Sequence, residues 1–106
     1  ADDYGNVTCI GAYTVSGGGA VHIEANSGNV RIQSNTITLI GTPSFSSSFV
    51  EAIYNGTCYI NGNTFSGSAS GKRSSASANG VIIAFASDPY IPGSIASTTA
   101  TGGQYI

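Results

Sequence analysis

Val30-Arg31-Ile32-Gln33-Ser34-Asn35-Thr36-Ile37 and Cys58-Tyr59-Ile60-Asn61-Gly62-Asn63-Thr64-Phe65 follow one template, 28 residues apart (60 − 32). In each, a β-prone apolar strand runs into an Asn and resumes as a Thr-aromatic or Thr-aliphatic strand. Asn tolerates left-handed backbone at less cost than most residues bearing a side chain, so Asn35 and Asn63 predict a shared corner. A second series aligns Ala20-Val21-His22-Ile23-Glu24-Ala25, Phe49-Val50-Glu51-Ala52-Ile53-Tyr54 and Gly80-Val81-Ile82-Ile83-Ala84-Phe85, at intervals of 29 (50 − 21) and 31 (81 − 50). Two segments recurring in the same order at 20 to 50 residues signal stacked units that bury their apolar faces only against neighbours.

Composition agrees with that picture. The 106 residues leave room for one domain, and 41% are hydrophobic while only 8% are charged, with a formal net charge of -2. Disorder usually needs the opposite balance, so the chain is expected to fold. No segment carries a sustained helical period free of Gly or β-branched runs, which predicts an all-β chain. The turns Asn26-Ser27-Gly28 and Asn55-Gly56 separate strands, and Gly41 to Ser48 and Ser66 to Asn79 read as variable Ser-rich loops with Lys72-Arg73 at a loop tip. Cys9-Ile10-Gly11-Ala12-Tyr13-Thr14-Val15 reads as a partial earlier copy.

These repeats resemble the coil motif of right-handed parallel β-helices, the family of pectate lyases, polysaccharide lyases and phage tailspikes. The resemblance spans about residues 20 to 86 and implies an all-β single-stranded solenoid of about three to four coils. We divide the chain into coils over residues 1–86 and an irregular segment, or the start of a further coil, over 87–106, where Pro89 and Pro92 interrupt the pattern.

Alternation along a strand predicts Val21, Ile23, Ala25, then Val50, Ala52, Tyr54, then Val81, Ile83, Phe85 as inward. It turns His22, Glu51 and Ile82 outward in one column, and Glu24, Ile53 and Ala84 in the next. Paired carboxylates can cleave glycosidic bonds, and a nearby imidazole can carry a proton. Glu24, Glu51 and His22 are therefore the candidate catalytic residues, weighed against a solvated ion pair worth at most about 1 kcal/mol. Arg31 and Tyr59 occupy matching outward positions, where a guanidinium over an aromatic ring suits carbohydrate binding as well as plain surface stacking.

Other classes find little support. Arg31, Lys72 and Arg73 are the only basic side chains besides His22, too few for a nucleic-acid partner. No apolar run reaches the roughly 18 to 20 residues of a membrane helix, so no membrane insertion is expected. One histidine and two cysteines without a CxxC predict no metal and no cofactor. Cys9 and Cys58 fall on different coils and are expected as free buried thiols. Thr36 and Thr64, with Thr38 beside Ser66, make too short and mixed an array to indicate ice binding.

The resemblance thus implies a tailspike or tail-fibre-like adhesin segment, in the virion or otherwise extracellular, that contacts surface polysaccharide. The alternatives are a polysaccharide depolymerase, whether hydrolase or lyase, and a structural trimeric stalk. Outward Ile53 and Ile82, apolar Tyr105 and Ile106, and open ladder ends lead us to expect a homotrimer. Ala1-Asp2-Asp3-Tyr4 is not a translation start, and we expect a processed or truncated end of a longer protein.

Overall fold

A computed structural model describes residues 5–106, so the expectation about Ala1 to Tyr4 lies outside the described residues. The chain is a parallel β-solenoid of about four turns, each strand pairing with strands one turn away. Three sheets form its sides. The first stacks β1 (Asn6–Cys9), β4 (Asn29–Ile32), β7 (Thr57–Tyr59), β11 (Val81–Ile83) and β13 (Gln104–Tyr105). The second stacks β2 (Tyr13–Val15), β5 (Thr36–Leu39) and β8 (Thr64–Ser66). The third runs from β3 (Gly19–Asn26) through β6 (Ser44–Ile53) and β10 (Ser74–Ala76) to β12 (Thr98–Thr99), with β9 (Ser70–Gly71) also on β6. A short 3-10 turn, Asp88–Tyr90, follows β11.

Alternation fills the core. Ile23 and Ala25 lie inside above Val50 and Ala52, and Ser74 and Ala76 continue both columns. Val30, Cys58 and Ile82 form another buried column on the first sheet, with Ile32 and Ile60 beside it. Ile37 and Leu39 close the third side. Columns of small and aliphatic side chains fill the interior through the central turns, which is how a thin solenoid replaces one thick core.

The third copy in the expected alignment belongs elsewhere. Val50 stacks on Ile23 and Ser74, whereas Val81 pairs with Thr57 in another sheet. The true intervals on the third sheet are 27 (51 − 24) and 24 (75 − 51). A one-residue slip exchanges faces. Accordingly Ile82 and Ala84 are buried and Ile83 is half-buried; Phe85 and Tyr54, expected inside, are exposed because the chain turns at each of them with φ 52°. The true third copy, Ser74-Ser75-Ala76, lies inside the presumed Ser-rich loop and has no large apolar residue to reveal it. Gly41 to Ser48 likewise already enters β6 at Ser44. Lys72-Arg73 is no loop tip: the carbonyls of both accept ladder bonds, from Phe49 N at 2.9 Å and Val50 N at 3.1 Å.

A glycine column marks the corner between the third and first sheets. A Cβ on Gly56, Gly80 or Gly103 would collide with the backbone carbonyl of Ala25, Ala52 or Ala76, one coil below. Only glycine lets the chain pass so close to the previous turn.

The expected corner is present, but its left-handed residues are Ser34 (φ 57°) and Gly62 (φ 75°), one before each Asn, and the Asn side chains serve it through hydrogen bonds instead. Asn63 Oδ1 accepts from the backbone N–H of Asn35 at 3.0 Å, while its Nδ2 donates to the carbonyls of Ile32 and Ile60 at 2.6 and 2.8 Å. Asn35 repeats the arrangement one coil earlier, accepting from Gly11 N–H at 3.2 Å and donating to the Cys9 carbonyl at 3.2 Å. Each Asn thus supplies bonds that the bent backbone cannot make for itself.

Candidate functional site

The first sheet's outer face carries the column Thr8, Arg31, Tyr59 and Ile83. Direct register between Arg31 and Tyr59 places the guanidinium carbon 3.9 Å from the phenol ring centroid. Arg31 is exposed and Tyr59 half-buried. A guanidinium so stacked gains about 0.5 to 1 kcal/mol and keeps its planar fork of donors in one orientation. The adjoining column, Asn6, Asn29, Thr57, Val81 and Gln104, adds amides and a hydroxyl, with Asn29 Nδ2 donating to Asn6 Oδ1 at 3.0 Å. The face is polar and nearly uncharged.

The third sheet brings two of the three candidate catalytic residues together. Glu24 and Glu51 are direct register partners on adjacent coils, not diagonal neighbours, with Ser75 and Thr98 continuing their column. Strands so paired run about 4.8 Å apart. Ser47 Oγ donates to Glu51 Oε2 at 3.3 Å.

His22 does not lie beside Glu51. The β3–β6 register shifts between Gly19 and Val21, and Ser48, Phe49 and Val50 are buried in succession, so strict alternation fails at this point. The imidazole packs instead against Phe49, centroids 4.3 Å apart, and its Nε2 lies 3.0 Å from the Tyr13 hydroxyl. Burial lowers its pKa to about 4, leaving it neutral at neutral pH. Burial, with Cys9 nearby, raises that of Tyr13. His22 Nδ1 is buried without a hydrogen-bond partner. Further rings, Phe45, Phe65 and Tyr90, extend this aromatic row along the interior.

Cys9 and Cys58 are free thiols. Among the described residues no group of three or more His, Cys, Asp or Glu could hold a metal ion, and no helix is long and apolar enough to cross a membrane. Sequence reasoning missed one charged pair, Arg73 Nη1 with Asp88 Oδ2 at 3.4 Å, because Arg73 had been assigned to a loop. The repeat of Gly56, Gly80 and Gly103 two residues before Cys58, Ile82 and Tyr105 was the available signal for the correct alignment. No family model matches the chain, nor does any curated protein or solved structure.

Proposed function

We propose that this solenoid is a carbohydrate-contacting segment of a tailspike-like or other extracellular surface protein. The stacked Arg31–Tyr59 pair carries the reading: it offers oriented donors to sugar hydroxyls beside an aromatic surface, on a face with little competing charge. The adjoining column of Asn6, Asn29, Thr57 and Gln104 suits an extended, repetitive ligand such as a polysaccharide. A glycan array spanning bacterial O-antigens, capsules and plant cell-wall polymers tests it. Binding should appear and fall at least tenfold in Arg31→Ala and Tyr59→Ala, and an array with no bound polysaccharide overturns the reading.

The chain works as one of three identical subunits in this reading. Support from Ile82 is gone, since that side chain is fully buried, but Ile10, Phe85 and Ile95 are exposed at 93%, 72% and 57%. Apolar groups at such exposure and unpaired ladder edges favour association. Sedimentation of a folded monomer at micromolar concentration would remove the trimer.

A depolymerase is the second reading, and one observation favours it: Glu24 and Glu51 share a register position on adjacent coils. Carboxyls about 5 to 5.5 Å apart suit a retaining glycosidase. Glu51→Gln should then abolish depolymerisation of the glycan that the array identifies, while unchanged release of fragments excludes this pair.

A further inference from the structure

A concavity lies apart from the Arg31–Tyr59 face, lined by none of its residues. Phe65 of β8, Arg73 between β9 and β10, and Pro89, Tyr90 and Pro92 around the 3-10 turn line an open pocket of about 240 Å³. That is below the roughly 300 to 1,000 Å³ typical of drug-sized ligands, so it suits one ring and not several. The Phe65 and Tyr90 rings meet edge to face, centroids 5.2 Å apart, and both line the pocket, within a lining that is more polar than apolar. Prolines at 89 and 92 add apolar surface and no backbone donors there.

Arg73 supplies the polar element. Its Nη1 bonds Asp88 Oδ2 at 3.4 Å, and that same oxygen accepts the Ser97 N–H at 3.1 Å. A guanidinium has five N–H donors, so this single contact holds Arg73 in place without exhausting it. The ion pair brings the summed charge of Arg73 and Asp88 to zero, so the pocket attracts an anion less than a lone guanidinium would.

We propose that this pocket receives a single uncharged pyranose ring, its C–H face against the aromatic and proline wall and its hydroxyl oxygens accepting from Arg73. The site extends the carbohydrate reading to a different face and shares only the ligand class with it. It adds a preference for neutral sugars through an Arg whose charge is paired with Asp88.

Amide-resolved NMR titration of the full chain tests it, with maltohexaose, cellohexaose and mannohexaose as neutral probes and a galacturonate hexamer as the charged one. At least one neutral probe should shift the amides of Arg73, Tyr90 and Gly93 saturably. Ser68→Trp, which plugs the mouth from an exposed position, and Arg73→Gln should each weaken that binding at least tenfold, and Arg31→Ala should leave it unchanged. Shifts confined to Arg31 and Tyr59 overturn the pocket while leaving the face intact. Response to galacturonate alone, or to no probe at all, also overturns it. The spectrum of each variant reports whether it is folded.

Discussion

The Tyr90 hydroxyl takes the place of a third asparagine above Asn63: it accepts from the Asn63 backbone N–H at 2.8 Å and donates to the Ile60 carbonyl at 2.6 Å. Those are the two bonds that Asn63 makes to Asn35 N–H and the Ile32 carbonyl one coil earlier. The corner ladder therefore continues through a residue of different chemistry, brought in by the 3-10 turn. Tyr90→Phe should cost about 1 to 3 kcal/mol, because a partly buried donor and acceptor lose their partner together. Urea unfolding measures it, and a change below about 0.5 kcal/mol would mean that water replaces the hydroxyl.

His22 should make the fold acid-sensitive. Unfolded, an imidazole takes a proton below about 6.5, but in the fold only below about 4. Between those values the unfolded chain holds more protons, so stability is full above about pH 6.5 and declines as pH falls toward 4. The whole shift corresponds to about 3 kcal/mol. His22→Phe keeps an aromatic ring against Phe49 and should flatten the profile between pH 7 and 4.5, as read by urea midpoints. A variant with the original slope would assign the acid sensitivity to other groups.

The two thiols should differ in reactivity. Cys58 is fully buried, its Sγ donates to the Glu51 carbonyl at 3.3 Å, and burial pushes its pKa up to about 12. Only the thiolate is a good nucleophile. A disulfide reagent at pH 8 should modify half-buried Cys9 first and reach Cys58 only in denaturant. Equal rates in the native protein would show that the Cys58 column opens readily.

How far the sequence could be read depended on where apolar side chains recur. Arg31 and Tyr59 aligned correctly because strands β4 and β7 both carry a buried aliphatic or Cys neighbour and enter the same Asn corner. The third sheet misled because its β10 strand is built from Ser74, Ser75 and Ala76, and Ser74 fills a core position by bonding Ser97 Oγ at 2.6 Å. Val81, the next strong apolar residue, was then counted into the wrong sheet. His22 was misplaced by an irregular register at β3, which no alternation rule anticipates. Glu24 and Glu51, expected in adjacent columns, share one instead, because β3 sits two positions from the expected alignment against β6 and pairs regularly from Ile23 and Val50 onward.

Two neighbouring positions on one corner should respond oppositely to the same kind of exchange. Ala78 has φ 47°, the left-handed region where a Cβ costs about 1 to 2 kcal/mol, and glycine relieves it. Ala78→Gly should therefore raise stability by about 1 kcal/mol or less, since glycine's extra freedom in the unfolded chain offsets part of the gain. Gly80, two residues on, is held by closeness and not by its dihedral: an added Cβ would meet the Ala52 carbonyl, and its own N–H is committed to Ser77 O at 2.8 Å. Gly80→Ala must push adjacent coils apart and should destabilise by about 1 to 3 kcal/mol, the range of overpacked interiors. Paired urea titrations of the two variants decide the point: a stable Gly80→Ala protein would mean that the coils can separate at this corner, and the glycine column would lose its role in setting their spacing.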